Sequence, residues 1–251
     1  MNKLVLAPKP RSEIGHNGRI KKYPDGTSVL LVCDKPIFGL SGWEKVGEDA
    51  SRKNSKKKSK RASGENFDRS AKRARQQVRD IALCSNFDFF VTLTLDEKHV
   101  DRYAIDGVIK KLRIWLDNKV RRKGLRYILI PEHHKDGAIH FHGFFNDVLK
   151  IEDSTHIHSK TGQKIYNIKD WTFGFSTAIR LYGEYPAAVS YVCKYIGKSN
   201  EKIGGRFYYS GGDLKRPEIV FVDVEDDIFD DERGDFFAIE EARLSFKSIT
   251  L

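Results

Sequence analysis

The chain has 251 residues, 39% of them hydrophobic and 12% aromatic, which is enough for one substantial core or two small ones and excludes a mini-protein. Lys and Arg number 45 against 35 Asp and Glu, a net charge of +10, and that excess favours an anionic partner. No window approaches the roughly 18 consecutive apolar residues of a membrane span, and the opening segment meets Pro8 before a signal-peptide apolar region can form, so the expectation is a cytoplasmic protein. Cys33, Cys84 and Cys193 lie far apart in apolar settings without a C-x-x-C partner, which reads as buried thiols rather than a disulfide framework or a cysteine zinc site.

In chain order, Ile20 to Cys33 sets two runs on either side of Pro24-Asp25-Gly26, a turn sequence that predicts a hairpin. Residues 44 to 75 then crowd Arg52, Lys53, Lys56, Lys57, Lys58, Lys60 and Arg61 together with Ser and Asn, a composition that cannot support a core. Phe67, Ala71, Ala74, Val78, Ile81 and Leu83 approximate helical spacing, so a basic helix follows the basic stretch. Phe89 to Leu95 alternates as a strand. Ile105, Val108, Ile109, Leu112, Trp115 and Leu116 predict a helix stopped by Gly124. Arg126 to Glu132 and Ala138 to Phe145 form an antiparallel hairpin around Lys135-Asp136-Gly137. After a polar excursion over 151–169 come a strand at Gly174 to Leu181, a helix from Pro186 to about Lys198, and a short strand around Ile219 to Val222. The fold class is α+β, with a mainly antiparallel central sheet flanked by helices. The division expected is an arm and basic linker over 1–65, a main domain over 66–222 and an acidic tail over 223–251.

Two groups of residues carry chemistry. His140 and His142 alternate with Phe141 in a strand, so both imidazoles point to one face. If the hairpin turns about Asp136, Glu132 lies opposite His140 and adds a carboxylate. The second group is Tyr191, Lys194, Tyr195 and Lys198. On a helix the tyrosines share a face, and each lysine follows a tyrosine by three, placing an ammonium near a phenol or a phosphate oxygen. A tyrosine of ordinary pKa, about 10, is a poor nucleophile at neutral pH, so such a cation matters. A histidine-carboxylate site, paired tyrosines and a basic surface together imply metal-assisted transesterification of a nucleic-acid backbone.

The histidine pair on a strand, followed some fifty residues later by Tyr-x-x-Lys-Tyr, resembles the HUH endonuclease superfamily, in particular the two-tyrosine rolling-circle replication initiators of microvirus-like single-stranded DNA phages. Phe90 to Leu95 is similar to that family's first motif and Pro131 to Phe145 to its second; the likeness covers roughly Phe67 to Pro217. The resemblance implies a ferredoxin-like or RRM-like core. It implies Mg²⁺ or Mn²⁺ held by His140, His142 and Glu132, with His134 as the rival third ligand. It further implies Tyr191 as first nucleophile, Tyr195 as second, and Lys194 and Lys198 as stabilisers of developing charge. Nicking would leave a 5′-phosphotyrosine and a free 3′-OH, and the same chemistry would rejoin the strand. The implied partners are single-stranded DNA at a replication origin, a host helicase, since no nucleotide-binding P-loop is present, and a host polymerase, all in a bacterial cytoplasm.

The run Arg52 to Arg61 suits a phosphate-contacting arm. Thr92 and Thr94 fit either a strand face or the floor of the site. Of Trp171, Phe173 and Phe175, which could stack bases, burial is expected for at least two. His156 and His158 repeat the spacing without a carboxylate in register and are rejected as ligands. Tyr208 and Tyr209 read as a strand end. A relaxase or transposase with the same chemistry, and a non-catalytic single-strand-binding protein, remain the alternative readings.

Overall fold

The computed structural model describes residues 7–8, 16–37, 43–44, 60–183, 185–198, 200–225, 234–239 and 244–251. These fall into two compact units, one of residues 1–60 with 217–251 and one of residues 61–216. The basic residues Arg52, Lys53, Lys56, Lys57 and Lys58 lie outside the described residues.

In the first unit, β1 (Ala7–Pro8) pairs with β4 (Trp43–Glu44), and β2 (His16–Lys22) forms the expected hairpin with β3 (Ser28–Ile37). The hairpin turn is held by Asp25, whose Oδ1 accepts from the Thr27 backbone at 2.9 Å and hydroxyl at 2.7 Å, while Gly26 takes φ +90°. A glycine there avoids the clash of a Cβ at positive φ.

The second unit begins with α1 (Lys60–Ser85), whose Ala71, Ala74, Val78, Ile81 and Ala82 make a buried stripe. Lys72, Arg73, Arg75 and Arg79 stay exposed on its other side. Next come β5 (Phe89–Leu93), α2 (Ile105–Lys123), β6 (Tyr127–His133), β7 (Ile139–Phe145), β8 (Ile151–Ile157), β9 (Lys164–Ile168), β10 (Ser176–Arg180), α3 (Tyr185–Cys193) and β11 (Tyr209–Gly211). α2 ends as its sequence dictates: Arg121, Arg122 and Lys123 occupy the last turn and Gly124, at φ +67°, sends its N–H back to the helix carbonyls.

The seven strands of this unit form one sheet in the order β11-β6-β7-β5-β10-β9-β8, each antiparallel to its neighbours. β5 and β6 flank β7 and are joined through α2, a split β-α-β arrangement. Odd-numbered residues of β5 and β7, such as Val91, Leu93, Phe141 and Phe145, pack with the Val108, Leu112, Trp115 and Leu116 stripe of α2. The opposite face buries Ile128, Ile130 and Phe144 against Val78 and Ile81 of α1 and Val189 and Val192 of α3. This is the α+β fold expected, with helices on both faces of the antiparallel sheet.

Three elements differ from expectation. The polar excursion over 151–169 is the β8–β9 hairpin; it lies at the sheet edge with little burial on either face, so its strands lack a hydrophobic alternation. The third helix stops at Cys193 rather than near Lys198. The chain continues through turns in which the N–H groups of Lys194, Tyr195, Ile196 and Lys198 each bond a carbonyl three residues back, the tighter winding common at helix ends. Finally β12 (Glu218–Val222) pairs with β2, and β13 (Asp235–Ile239) with β14 (Leu244–Thr250) completes the order β12-β2-β3-β14-β13 in the first unit. Residues 218–222 therefore sit with the first unit instead of the second, and the acidic stretch supplies two strands, with Ile249 buried among them.

Candidate metal centre and tyrosine pair

β6 and β7 pair so that Glu132 lies opposite His140 and Ile130 opposite His142, and β5 places Thr92 on the other side of His142. Because residues directly opposite share a face, this register brings one carboxylate, two imidazoles and one hydroxyl together. Glu132 Oε2 lies 3.2 Å from both His140 Nε2 and His142 Nε2. His142 Nδ1 lies 3.1 Å from Thr92 Oγ1. In the tautomer where Nδ1–H donates to that hydroxyl, the Nε2 lone pair faces Glu132, and the hydroxyl fixes the ring as a ligating histidine requires.

The tyrosines come from the facing side. Tyr195 lies flat on His142, with ring centroids 4.1 Å apart at 18°, and its hydroxyl is 2.7 Å from that of Tyr191. Tyr191 is 49% exposed and sets its ring edge against Phe90, which in turn stacks beside His142. The turns that carry Tyr195 are pinned by α1: Arg75 donates to the Ile196 carbonyl at 2.7 Å. A cleft of about 910 Å³ opens over the cluster, lined by Glu132, His140, His142, Tyr195 and Lys198 among others.

Burial, together with the neighbouring imidazole, pushes the pKa of His142 down to about 4 against the Glu132 charge that opposes it, and burial also lowers His140. Burial would raise the Glu132 carboxyl, but the Lys198 ammonium and His140 outweigh it and hold the group below its ordinary range. At neutral pH the cluster is one carboxylate and two uncharged imidazoles. Burial, the bond to Tyr191 and the Glu132 charge raise the Tyr195 phenol. The ligand atoms of Glu132, His140 and His142 lie within 4.8 Å of one another, and this charge state and mixed N/O donor set fit a divalent ion.

Of the residues singled out from the sequence, His140, His142, Glu132, Tyr191, Tyr195 and Lys198 are brought together. Lys198 differs in its partner: its Nζ lies 2.5 Å from Glu132 Oε1 and 5.4 Å from the Tyr195 ring centroid, so it neutralises the carboxylate instead of pairing with a phenol. Lys194 is exposed and joins none of the hydrogen bonds or ion pairs of the cluster. Lys60 and Arg61 begin α1. His134 turns to Asp136 at 3.2 Å and meets His140 only by a ring edge, so Glu132 completes the cluster. His156 and His158 bond locally, to the Ser154 carbonyl and the Thr161 hydroxyl. Tyr208 bonds Gln77, and buried Tyr209 donates to the Ile203 carbonyl. Trp171 is buried, Phe173 half-buried and Phe175 77% exposed. Cys33 and Cys84 are buried, but Cys193 is only half-buried.

Sequence reasoning does not mark Phe90 or Arg75 as part of the site. Phe90 reads as an ordinary strand residue and Arg75 as one more basic residue of a basic helix; neither carries a signal of what it touches.

Among the described residues no helix is long and apolar enough to cross a membrane. The chain matches no curated protein and no solved structure. Residues 88–200, the stretch that holds β5, the metal cluster and both tyrosines, match the family model of replication-associated protein ORF2, and this likeness supports a rolling-circle replication initiator.

Proposed function

We propose that the protein initiates rolling-circle replication by nicking single-stranded origin DNA through tyrosine transesterification at this site, and that it rejoins the strand by the same chemistry. The observation that carries the reading is the pair of tyrosine hydroxyls, 2.7 Å apart, over a two-histidine, one-carboxylate cluster.

Glu132, His140 and His142 would hold a divalent ion, Mg²⁺ or Mn²⁺, which when bound supplies Lewis-acid polarisation of a phosphoryl oxygen. The rest belongs to the side chains. The raised pKa of Tyr195 keeps its phenol protonated, so it can donate to the Tyr191 oxygen and favours Tyr191 as first nucleophile. The Tyr191 Oη–P bond forms as the P–O3′ bond breaks. The phenolic proton is lost to solvent and the departing 3′ oxygen takes one up. The products are a 5′-phosphotyrosine and a free 3′-OH. One ester replaces another, so attack by a 3′-OH on the phosphotyrosine reseals the strand. Tyr195 then has a place to receive a second strand end while Tyr191 still holds the first. Lys198 steadies the Glu132 carboxylate, and Lys194, exposed beside the tyrosines, is available to phosphate.

The protein should act on labelled single-stranded DNA carrying origin sequence, with Mn²⁺ or with chelator. A protein-DNA adduct on a denaturing gel that requires metal and vanishes in the Tyr191→Phe, Tyr195→Phe double variant is expected. Strong binding with no adduct on any DNA would remove the nicking reading and leave a binding protein.

A further inference from the structure

A second cavity, of about 480 Å³, adjoins the tyrosine pair on the side away from the metal cluster. Tyr195 lines the metal cleft and Tyr191 lines this one, so the two tyrosines form the ridge between them. The floor is apolar, made by Phe90, Ile179 and Leu181. Tyr191 and the 71% exposed Tyr182 supply aromatic faces at the mouth. The far wall is the β8–β9 turn, where the Thr161 hydroxyl lies 3.1 Å from Gln163 Oε1 and Gln163 Nε2 donates to the Arg180 carbonyl. Lys160 stands exposed on the same turn, and no acidic residue lines the cavity.

We propose that this cleft receives the base of a nucleotide adjoining the phosphate at the tyrosine pair, swung out of the strand. The proposal rests on the reading of Tyr191 and Tyr195 as the strand-cutting pair. The volume is that of a small-molecule site. An apolar floor with exposed aromatic rings accepts the π-face of any base, while the polar turn offers donors and acceptors to a base edge. A wall without carboxylates and with an exposed lysine suits a polyanion. The shared Tyr191 fixes the register, because a strand whose phosphate reaches the tyrosine hydroxyls has its neighbouring base at the mouth of this cleft. Holding that base would also present one phosphate, and not its neighbours, to the tyrosines.

The test uses the full-length protein and fluorescent single-stranded origin oligonucleotides in which each nucleotide in turn is made abasic, with binding read by anisotropy. One abasic position should weaken binding about tenfold, the scale of a single base–aromatic stack. Ala187 lies exposed on the α3 wall. Ala187→Trp should fill the cleft and weaken binding of intact DNA by a similar factor while adding nothing at that abasic position, and Tyr182→Ala should show the same lack of additivity. The proposal is overturned if no abasic position costs more than about twofold, or if the variant and abasic losses multiply. Covalent adduct formation, measured separately, distinguishes the two claims. Adduct without non-additive losses sinks the base cleft alone; non-additive losses without any adduct retain the cleft and sink the nicking chemistry.

Discussion

The hydroxyl of Thr92 governs how His142 presents its nitrogen. With that bond made at Nδ1, the imidazole has one orientation and one useful tautomer. Thr92→Val keeps the strand-forming shape but loses the partner, and should lower Mn²⁺ affinity by roughly 10- to 100-fold in calorimetric titration, with Thr92→Ser restoring most of it. Unchanged affinity in the valine variant would remove Thr92 from the site. The same cluster sets a pH dependence. His142 falls from its ordinary 6.5 to about 4 in the folded protein and His140 is also lowered, so between those values the unfolded chain binds protons that the native state does not. Stability of the metal-free protein should therefore rise with pH through that window and be lost on acidification from about pH 6.5 toward 4. Glu132, also lowered, adds a loss of the same sign below its ordinary range. Urea unfolding midpoints across about pH 4 to 7 read this directly, and a flat profile would contradict it.

At the scale of elements, the site depends on how closely β6 and β7 approach. A Cβ at Gly143 would collide with the Ile128 carbonyl on the neighbouring strand, and Gly143 is the next residue after His142. Gly143→Ala should force the strands apart, destabilise the protein by about 1–3 kcal/mol and weaken metal binding, measured by denaturation and titration. Asp170 ties a different corner, accepting from Lys119 at 2.6 Å, Lys123 at 2.9 Å and the Lys150 backbone at 2.7 Å. Asp170→Ala leaves those partners without a carboxylate and should cost about 2 kcal/mol in thermal or urea unfolding, without touching the tyrosines. The elements legible in the sequence are those with a buried stripe: the apolar spacing of α2, the β5 alternation, and the hairpin whose Asp136 turn fixes Glu132 opposite His140. The β8–β9 hairpin is not legible because a nearly two-sided exposed edge leaves no period-2 signal. The early end of α3 is hidden too, since tight turns keep Tyr191 and Tyr195 on one side as a helix would. The partner of Lys198 escapes because local spacing sees Tyr195, while Glu132 approaches from a strand 66 positions earlier in the chain.

For the molecule as a whole, charge is the dominant property: the excess of +10 predicts binding to single-stranded DNA that falls linearly with log salt, by about 0.7 in slope per phosphate neutralised. Replacing Arg52, Lys53, Lys56, Lys57 and Lys58 with Ser should flatten that slope and weaken binding on all sequences alike, while adduct formation at saturating DNA persists, because the tyrosines and the metal cluster all lie in residues 61–216. An unchanged slope would show that the basic run does not contact phosphate. Whether the tyrosines cut the strand is decided by locating the covalent bond. Trypsin cleaves after Lys194 and so puts Tyr191 and Tyr195 on different peptides. Mass spectrometry of the digested adduct should find a 5′-phosphonucleotide on the Tyr191 peptide, with the released strand carrying a 3′-OH that a polymerase extends. A nucleotide on any tyrosine other than Tyr191 or Tyr195, or a cut strand with a free 5′-phosphate and no adduct, would refute tyrosine transesterification at this site.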